Sequence, residues 1–195
     1  EVGLTIDHNR ASIQCGSCGR AFSIKGGIPL MFVRHDEKED VTGQVKTFYE
    51  ETTFPNYDDL ETPGDLAEKA RRSRLARLLN ENIPFNARVL EVGCGTGQLT
   101  NYLSLAQRFV FGVDMSFNSL KLAEDFKEKF ELSRAGFYQM NLFKPIFKKE
   151  SFHLVICNGV LHHTSDPFLG FQSISGLVKK DGYIIVGLYN KYGRL

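Results

Sequence analysis

From Pro84 onward, short apolar runs alternate with stretches of helical periodicity. The runs fall at residues 88–92, 109–113, 137–140, 152–157 and 183–188, and the helical stretches at 98–105, 116–130 and 167–178. In 116–130, Leu120, Ala123, Phe126 and Phe130 recur at the spacing of one helix face, and Ser116 stands where an N-cap belongs. Asp166 followed by Pro167 is a cap followed by proline in the first turn. Strand and helix units in this rhythm predict an α/β fold, a doubly wound parallel sheet of five strands with helices on both faces.

The first eighty residues read differently. Residues 1–32 carry short alternating apolar pieces broken at Gly26-Gly27, the pattern of small hairpins. A charged run over 34–40 marks a boundary near residue 40. Residues 41–60 are aromatic and loop-like, with Phe48, Tyr49, Phe54 and Tyr57 among polar residues. Thr62-Pro63-Gly64-Asp65 then caps a single expected helix to about residue 80, with Leu75, Leu78 and Leu79 on one face. The predicted organisation is a small β-rich extension over 1–40, an aromatic segment plus helix over 41–82, and a core over 83–195.

Composition narrows the partners. The 195 residues are 42% hydrophobic and 24% charged, which suits one folded domain with an appendage and excludes a disordered chain. A net charge of +1 gives no electrostatic case for nucleic acid or an anionic membrane. No apolar run reaches the roughly 18–20 residues of a membrane helix, and four cysteines with one short repeat do not form a secreted disulfide framework. A cytoplasmic protein is expected, with its oligomeric state open.

The most informative text is Val89 to Gln98, VLEVGCGTGQ, an apolar strand running into Gly93, Gly95 and Gly97 at the mouth of a helix. Glycines belong where a turn needs positive φ or a ligand approaches the backbone. At the end of the next strand stands Asp114, 21 residues past Gly93, a spacing suited to a carboxylate that accepts ribose hydroxyls. A dinucleotide fingerprint would place its third glycine at 98, where this chain has Gln98, so an NAD-dependent oxidoreductase is disfavoured.

Counted from Glu91, the pattern E-x-G-x-G-x-G resembles motif I of class I S-adenosylmethionine-dependent methyltransferases. Val113-Asp114-Met115-Ser116 is similar to the second motif of that family, and Gln139-Met140-Asn141-Leu142 to the third. Residues 152–183, with FHLVICNGVLHHTSDP and LVKKDGY, resemble the later motifs of the ubiquinone and menaquinone biosynthesis type. The resemblance spans roughly 45–195 and implies a Rossmann-like methyltransferase core, S-adenosylmethionine as cofactor and a small-molecule methyl acceptor. Such cores usually carry seven strands. This chain carries five and opens on Glu1 instead of Met, so the expectation is a core truncated after strand five, in a fragment or a processed product, or else a fifth strand whose edge something else covers.

By resemblance, the cofactor-binding turn runs from Glu91 through Gly93, Cys94 and Gly95 to Gly97, with the backbone at Gly93 and Gly95 facing the methionine part. Asp114 would hold the ribose, and Met115 would lie against the adenine face. Asn141 would accept a hydrogen bond from the adenine amino group, and the Leu142 backbone would meet the ring edge. Asn158 would stand near the methionine amino group. Tyr49 belongs to a segment that often closes over the cofactor as a lid. His162 and His163 follow the fourth strand at the rim where an acceptor enters, and His162 is the candidate catalytic base. Residues 189–194 are candidates for the acceptor side.

Cys15-Gly-Ser-Cys18 looks like the second half of a zinc ribbon of the kind that precedes some bacterial methyltransferases. A structural zinc ion wants four ligands and the chain shows one knuckle, so no metal is expected. Cys94 and Cys157 sit in the core text, while His8 or His35 could in principle add a ligand. The runner-up to a methyltransferase is a non-catalytic cofactor-binding or scaffold protein that keeps the same fold.

Overall fold

The computed structural model describes residues 4–7, 12–16, 18–34 and 57–189. Its core is a five-stranded sheet built from β5 (Arg88–Val92), β6 (Phe109–Asp114), β7 (Ala135–Gln139), β8 (Phe152–Asn158) and β9 (Val178–Gly187). Every neighbouring pair is parallel, and the spatial order is β7-β6-β5-β8-β9. The chain therefore winds outward from β5 to β7 and returns to the other side of β5 with β8. That reversal leaves a crevice at the carboxyl ends of β5 and β8, where open parallel sheets lodge ligands.

Both sheet faces are covered, which is why the central runs are continuously apolar and not alternating. Val89 and Leu90 are adjacent in sequence, point to opposite faces and are both fully buried. Val89, Val110 and Ile156 pack beneath α1 (Pro63–Arg72), α2 (Arg74–Asn82), α3 (Gln98–Ser104) and α4 (Phe117–Lys129), through Leu66, Leu79, Leu103 and Phe126. Leu90, Val113 and Val155 pack on the other face against Ile174 of α5 (Pro167–Ser175) and Leu177 beyond it.

Three expectations shift. The single helix expected to about residue 80 is two helices, because Ser73 ends α1 in extended backbone and its side chain accepts from Ala76 N to start α2. Leu75, Leu78 and Leu79 all fall within α2, where Leu79 is buried at 5% exposure and Leu78 is left at 47%, so only part of the expected apolar face packs inward. The helix expected over 167–178 closes at Ser175, and β9 already begins at Val178, with a register irregularity opposite Phe152 and Leu154.

The N-terminal extension is an antiparallel sheet of β1 (Leu4–Asp7), β2 (Ser12–Cys15), β3 (Ala21–Lys25) and β4 (Ile28–Pro29). Gly26 and Gly27 join β3 to β4 with φ of 53° and 75°, the left-handed pair that a two-residue hairpin turn demands. Ile28 is fully buried among Leu120, Ala123, Ala135 and Phe137 of the core. Beyond it, Leu30 bridges Gln139 in parallel, and Met31 N donates to Gln139 O at 3.0 Å. The extension thus lies along the outer edge of β7. An open strand edge invites pairing with another chain, and here that edge is partly covered from within.

Candidate functional site

A cavity of about 420 Å³ opens at the carboxyl ends of the strands, within the size range of small-molecule sites. Its walls bring together Glu91 near the end of β5 with Gly93, Cys94 and Gly95 just past it, Asp114 at the end of β6 with Met115 beyond, Asn141 and Leu142 after β7, and Asn158 at the end of β8. Tyr49, His8, His35 and residues 190–194 lie outside the described residues.

The glycine turn is shaped by three left-handed residues, Gly93, Gly95 and Gly97, at φ of 71°, 54° and 71°. Gly93 N and Cys94 N both donate to Val113 O, at 2.8 and 3.0 Å, which fixes the turn against the end of β6. A side chain at Gly93 would overlap Val160 in the opposite cavity wall. Gly97 has another task. It borders no part of the cavity, and a Cβ there would stand 2.6 Å from both Ala123 Cβ and Phe137 Cε1. Its bareness lets the start of α3 approach α4 and β7.

Asp114 is braced by the loop it faces. Its Oδ2 accepts from Gly95 N and its Oδ1 from Ser116 N, both at 2.9 Å. A carboxylate oxygen can accept more than one bond, so this orientation leaves acceptor capacity for hydroxyls. Below it, Glu91 Oε2 accepts from Thr100 Oγ1 at 2.5 Å. Burial pushes the Glu91 carboxyl up to about 7 against the opposing bond from Thr100, and the nearby Asp114 carboxylate adds to the rise. Burial likewise raises the Cys94 thiol well above its ordinary range, with Asp114 and Glu91 contributing. A neutral thiol and a carboxyl that titrates near neutrality therefore line the floor of the turn.

Asn141 is 1% exposed and engaged at both ends of its amide. Its Oδ1 accepts from Phe143 N and its Nδ2 donates to Val33 O, each at 3.0 Å. The neighbouring wall is fixed too, because Gln139 Nε2 donates to Met115 O at 2.8 Å. On the far side, Asn158 projects where Gly187 leaves room, since a Cβ at Gly187 would collide with the Asn158 amide.

The histidines fall on a short 3-10 turn, Leu161–His163, after β8. Of the two, His163 borders the cavity, together with Thr164 and Tyr189, and His162 does not. The His162 ring lies between the rings of His163 and Tyr189, with centroids 4.1 and 4.0 Å away. Tyr57 was legible only as one of several aromatics. Its hydroxyl donates to Thr96 O at 2.8 Å and accepts from Asn101 Nδ2 at 3.1 Å, while its ring stacks on Phe126. It pins the segment preceding α1 to the back of the glycine turn. No group of three or more metal-ligating side chains is found among the described residues, where Cys15 is half-buried and Cys18 exposed.

The model of a family described as a methyltransferase domain matches residues 85–194, more than half of the chain. The chain belongs to the methyltransferase domain family. Its sequence is 29% identical over 113 residues to a ubiquinone biosynthesis O-methyltransferase from Glaesserella parasuis, covering 55% of this chain and 47% of that one. The methyltransferase domain thus spans about half the length of the curated relatives it matches. Among solved structures, it resembles a SAM-dependent methyltransferase from Aquifex aeolicus with a TM-score of 0.53 and 19% identity, over 68% of this chain and 77% of that one. It also resembles the [4+2]-cyclase SpnF with a TM-score of 0.61 and 18% identity, over 87% of this chain and 67% of that one. These two likenesses establish the Rossmann-like methyltransferase fold. No helix among the described residues is long and apolar enough to cross a membrane.

Proposed function

We propose that this methyltransferase domain binds S-adenosylmethionine in the cavity after β5 and directs methyl transfer to a hydroxyl of a small-molecule acceptor, in the cytoplasm. In this reading residues 83–195 are the catalytic core and residues 1–40 its appended extension. The observation that carries the reading is the brace between Gly95 N and Asp114, which joins a bare, left-handed turn to an aimed carboxylate across two strands.

When bound, the cofactor supplies an electrophilic methyl group on a sulfonium, so the chain's tasks are alignment, exclusion of water and disposal of a proton. Asp114 accepts the ribose hydroxyls through charge-assisted bonds. Backbone at Gly93 and Gly95 approaches the methionine part, with Asn158 beside its amino end. Met115 and Leu142 pack against the adenine. His163, at the exposed rim, takes the proton of the acceptor hydroxyl on an imidazole nitrogen, and His162 steadies it by ring contact. The relatives named for O-methyl transfer support hydroxyl as the acceptor group.

Calorimetric titration tests this. S-adenosylmethionine and S-adenosylhomocysteine are expected to bind and NAD is not, and Asp114→Ala is expected to weaken binding by at least ~1.5 kcal/mol, roughly tenfold. Preference for NAD, or a dissociation constant untouched by Asp114→Ala, overturns the reading.

A further inference from the structure

We propose that residues 28–33 of the N-terminal extension are a positioning strap for the adenine side of the cavity, and that Asn141 is the strap's anchor and not a reader of the adenine ring. The inference rests on the reading that the cavity takes S-adenosylmethionine.

Four observations converge on it. Ile28 and Met31 are buried at 0% and 4% exposure, so the strap is seated by apolar contact at both ends of its hairpin exit. Backbone pairing follows, with Leu30 bridging Gln139 and Met31 N donating to Gln139 O. The last link is Asn141 Nδ2 donating to Val33 O, across 108 positions of sequence. Of the residues so gripped, Asn141 lines the cavity and Gln139 directly precedes Met140, which lines it too. Gln139 holds the Met115 carbonyl through its side chain, and Asn141 caps Phe143 N, which keeps Met140, Leu142 and Phe143 facing the cavity. An amide with one end on the strap and the other on the wall transmits position between them. A side chain that served only to read the ring would not need its donor turned to the extension.

Aspartate at 141 separates the two roles by sign. Asn141→Asp keeps an oxygen for Phe143 N but sets a carboxylate against the Val33 carbonyl. A ring reader would gain from that change, because a charged acceptor binds an amino group more strongly. A strap anchor loses its donor and leaves the half-buried Val33 carbonyl facing a carboxylate without its partner.

The test uses the full chain, titrated with S-adenosylhomocysteine and with S-inosylhomocysteine, which carries a carbonyl where adenine carries its amino group. Hydrogen exchange at the Met31 amide is followed with and without the first ligand. Asn141→Asp is expected to weaken S-adenosylhomocysteine roughly five- to tenfold. Asn141→Ala is expected to keep the preference between the two ligands within about twofold of the wild type. The Met31 amide exchanges faster in both variants, and in the wild type the ligand slows it. Tighter binding by Asn141→Asp, loss of the preference in Asn141→Ala, or ligand-independent exchange at Met31 in the wild type overturns the strap. If the wild type binds neither ligand, the functional reading is what fails. The strap then stands or falls on whether Asn141→Asp speeds exchange at Met31.

Discussion

The two flanks of the central strand β5 are built to different standards. On the β7 side the cavity wall is deeply buried, with Asn141, Met140 and Leu142 at 1%, 3% and 7% exposure, and the strand edge beyond it is partly covered by the extension. On the β9 side, Tyr183 and Tyr189 are 75% and 50% exposed, His163 is exposed, and Leu78 and Phe85 border an apolar groove beside β8 and β9. A ligand that never changes rewards a wall that cannot move, because preorganised groups lose little freedom on binding. The open flank suits the partner that differs from one methyltransferase to the next. SpnF makes the point at the level of fold, since a [4+2]-cyclase shares this same architecture.

Two glycines at nearly the same φ give the sharpest way to break that comparison. Gly97 at 71° backs onto the β7 flank, where a Cβ would press on Ala123 and Phe137 at 2.6 Å. Gly159 at 76° lies on the β9 flank, where the nearest atom is the Tyr189 hydroxyl at 4.0 Å. Both alanine variants incur the left-handed penalty of about 1–2 kcal/mol, but only Gly97→Ala adds overpacking of about 1–3 kcal/mol. Urea denaturation should place Gly97→Ala about 2 kcal/mol or more below Gly159→Ala. Equal losses would show that the two flanks are packed alike.

The middle of the sheet gives a smaller effect, read through pH. Glu91 titrates near 7 in the folded chain, against an ordinary value of 4.5, because burial disfavours its charge. The folded state then holds more protons than the unfolded state between these values, so stability falls as pH rises from about 4.5 to 7 and levels off above. The loss is on the order of 2 kcal/mol after allowance for the partial exposure of the group. Glu91→Gln keeps an acceptor for Thr100 and should abolish that part of the slope in denaturation midpoints taken from pH 5 to 8. A variant with the wild-type slope would place the titration elsewhere.

How much of this could be read from the chain follows the same division. Strands β5, β6 and β8 announce themselves because each is an apolar run bounded by glycine or polar text, and the turn with Asp114 is a spacing pattern. Residues Ala135 and Gly136 start β7 without any such signal, since their place in the strand comes from pairing with Val110 and Phe111. Ser73 breaks a helix with neither proline nor glycine, through a cap that also suits a helix interior facing water. The Asn141 to Val33 bond joins positions that no local pattern relates. Likewise the sequence brings both histidines to the rim, but which ring borders the cavity depends on the pitch of a three-residue 3-10 turn, and that selects His163. Gly97 reads as a ligand glycine from its motif because sequence spacing cannot distinguish room left for a cofactor from room left for Phe137.

The smallest expected effect is the one that best isolates the open flank. Tyr189 is half exposed, and its ring sits on His162 at 4.0 Å while bordering the cavity. Truncation in Tyr189→Ala removes little buried surface, so stability should stay within about 0.5 kcal/mol of wild type. Cofactor affinity should hold within about twofold, because Tyr189 borders the cavity at the open rim beside His163 and Thr164, while the adenine and ribose walls come from the other flank. What changes is the rim. With the ring gone, His162 loses one of its two stacking partners and His163 loses the neighbour that fixes its approach to the acceptor, so kcat/KM for a hydroxyl acceptor should fall several-fold while the cofactor dissociation constant stands. A parallel loss in both constants would mean that the two flanks act as one unit, and the division of labour drawn from their burial would have to be abandoned.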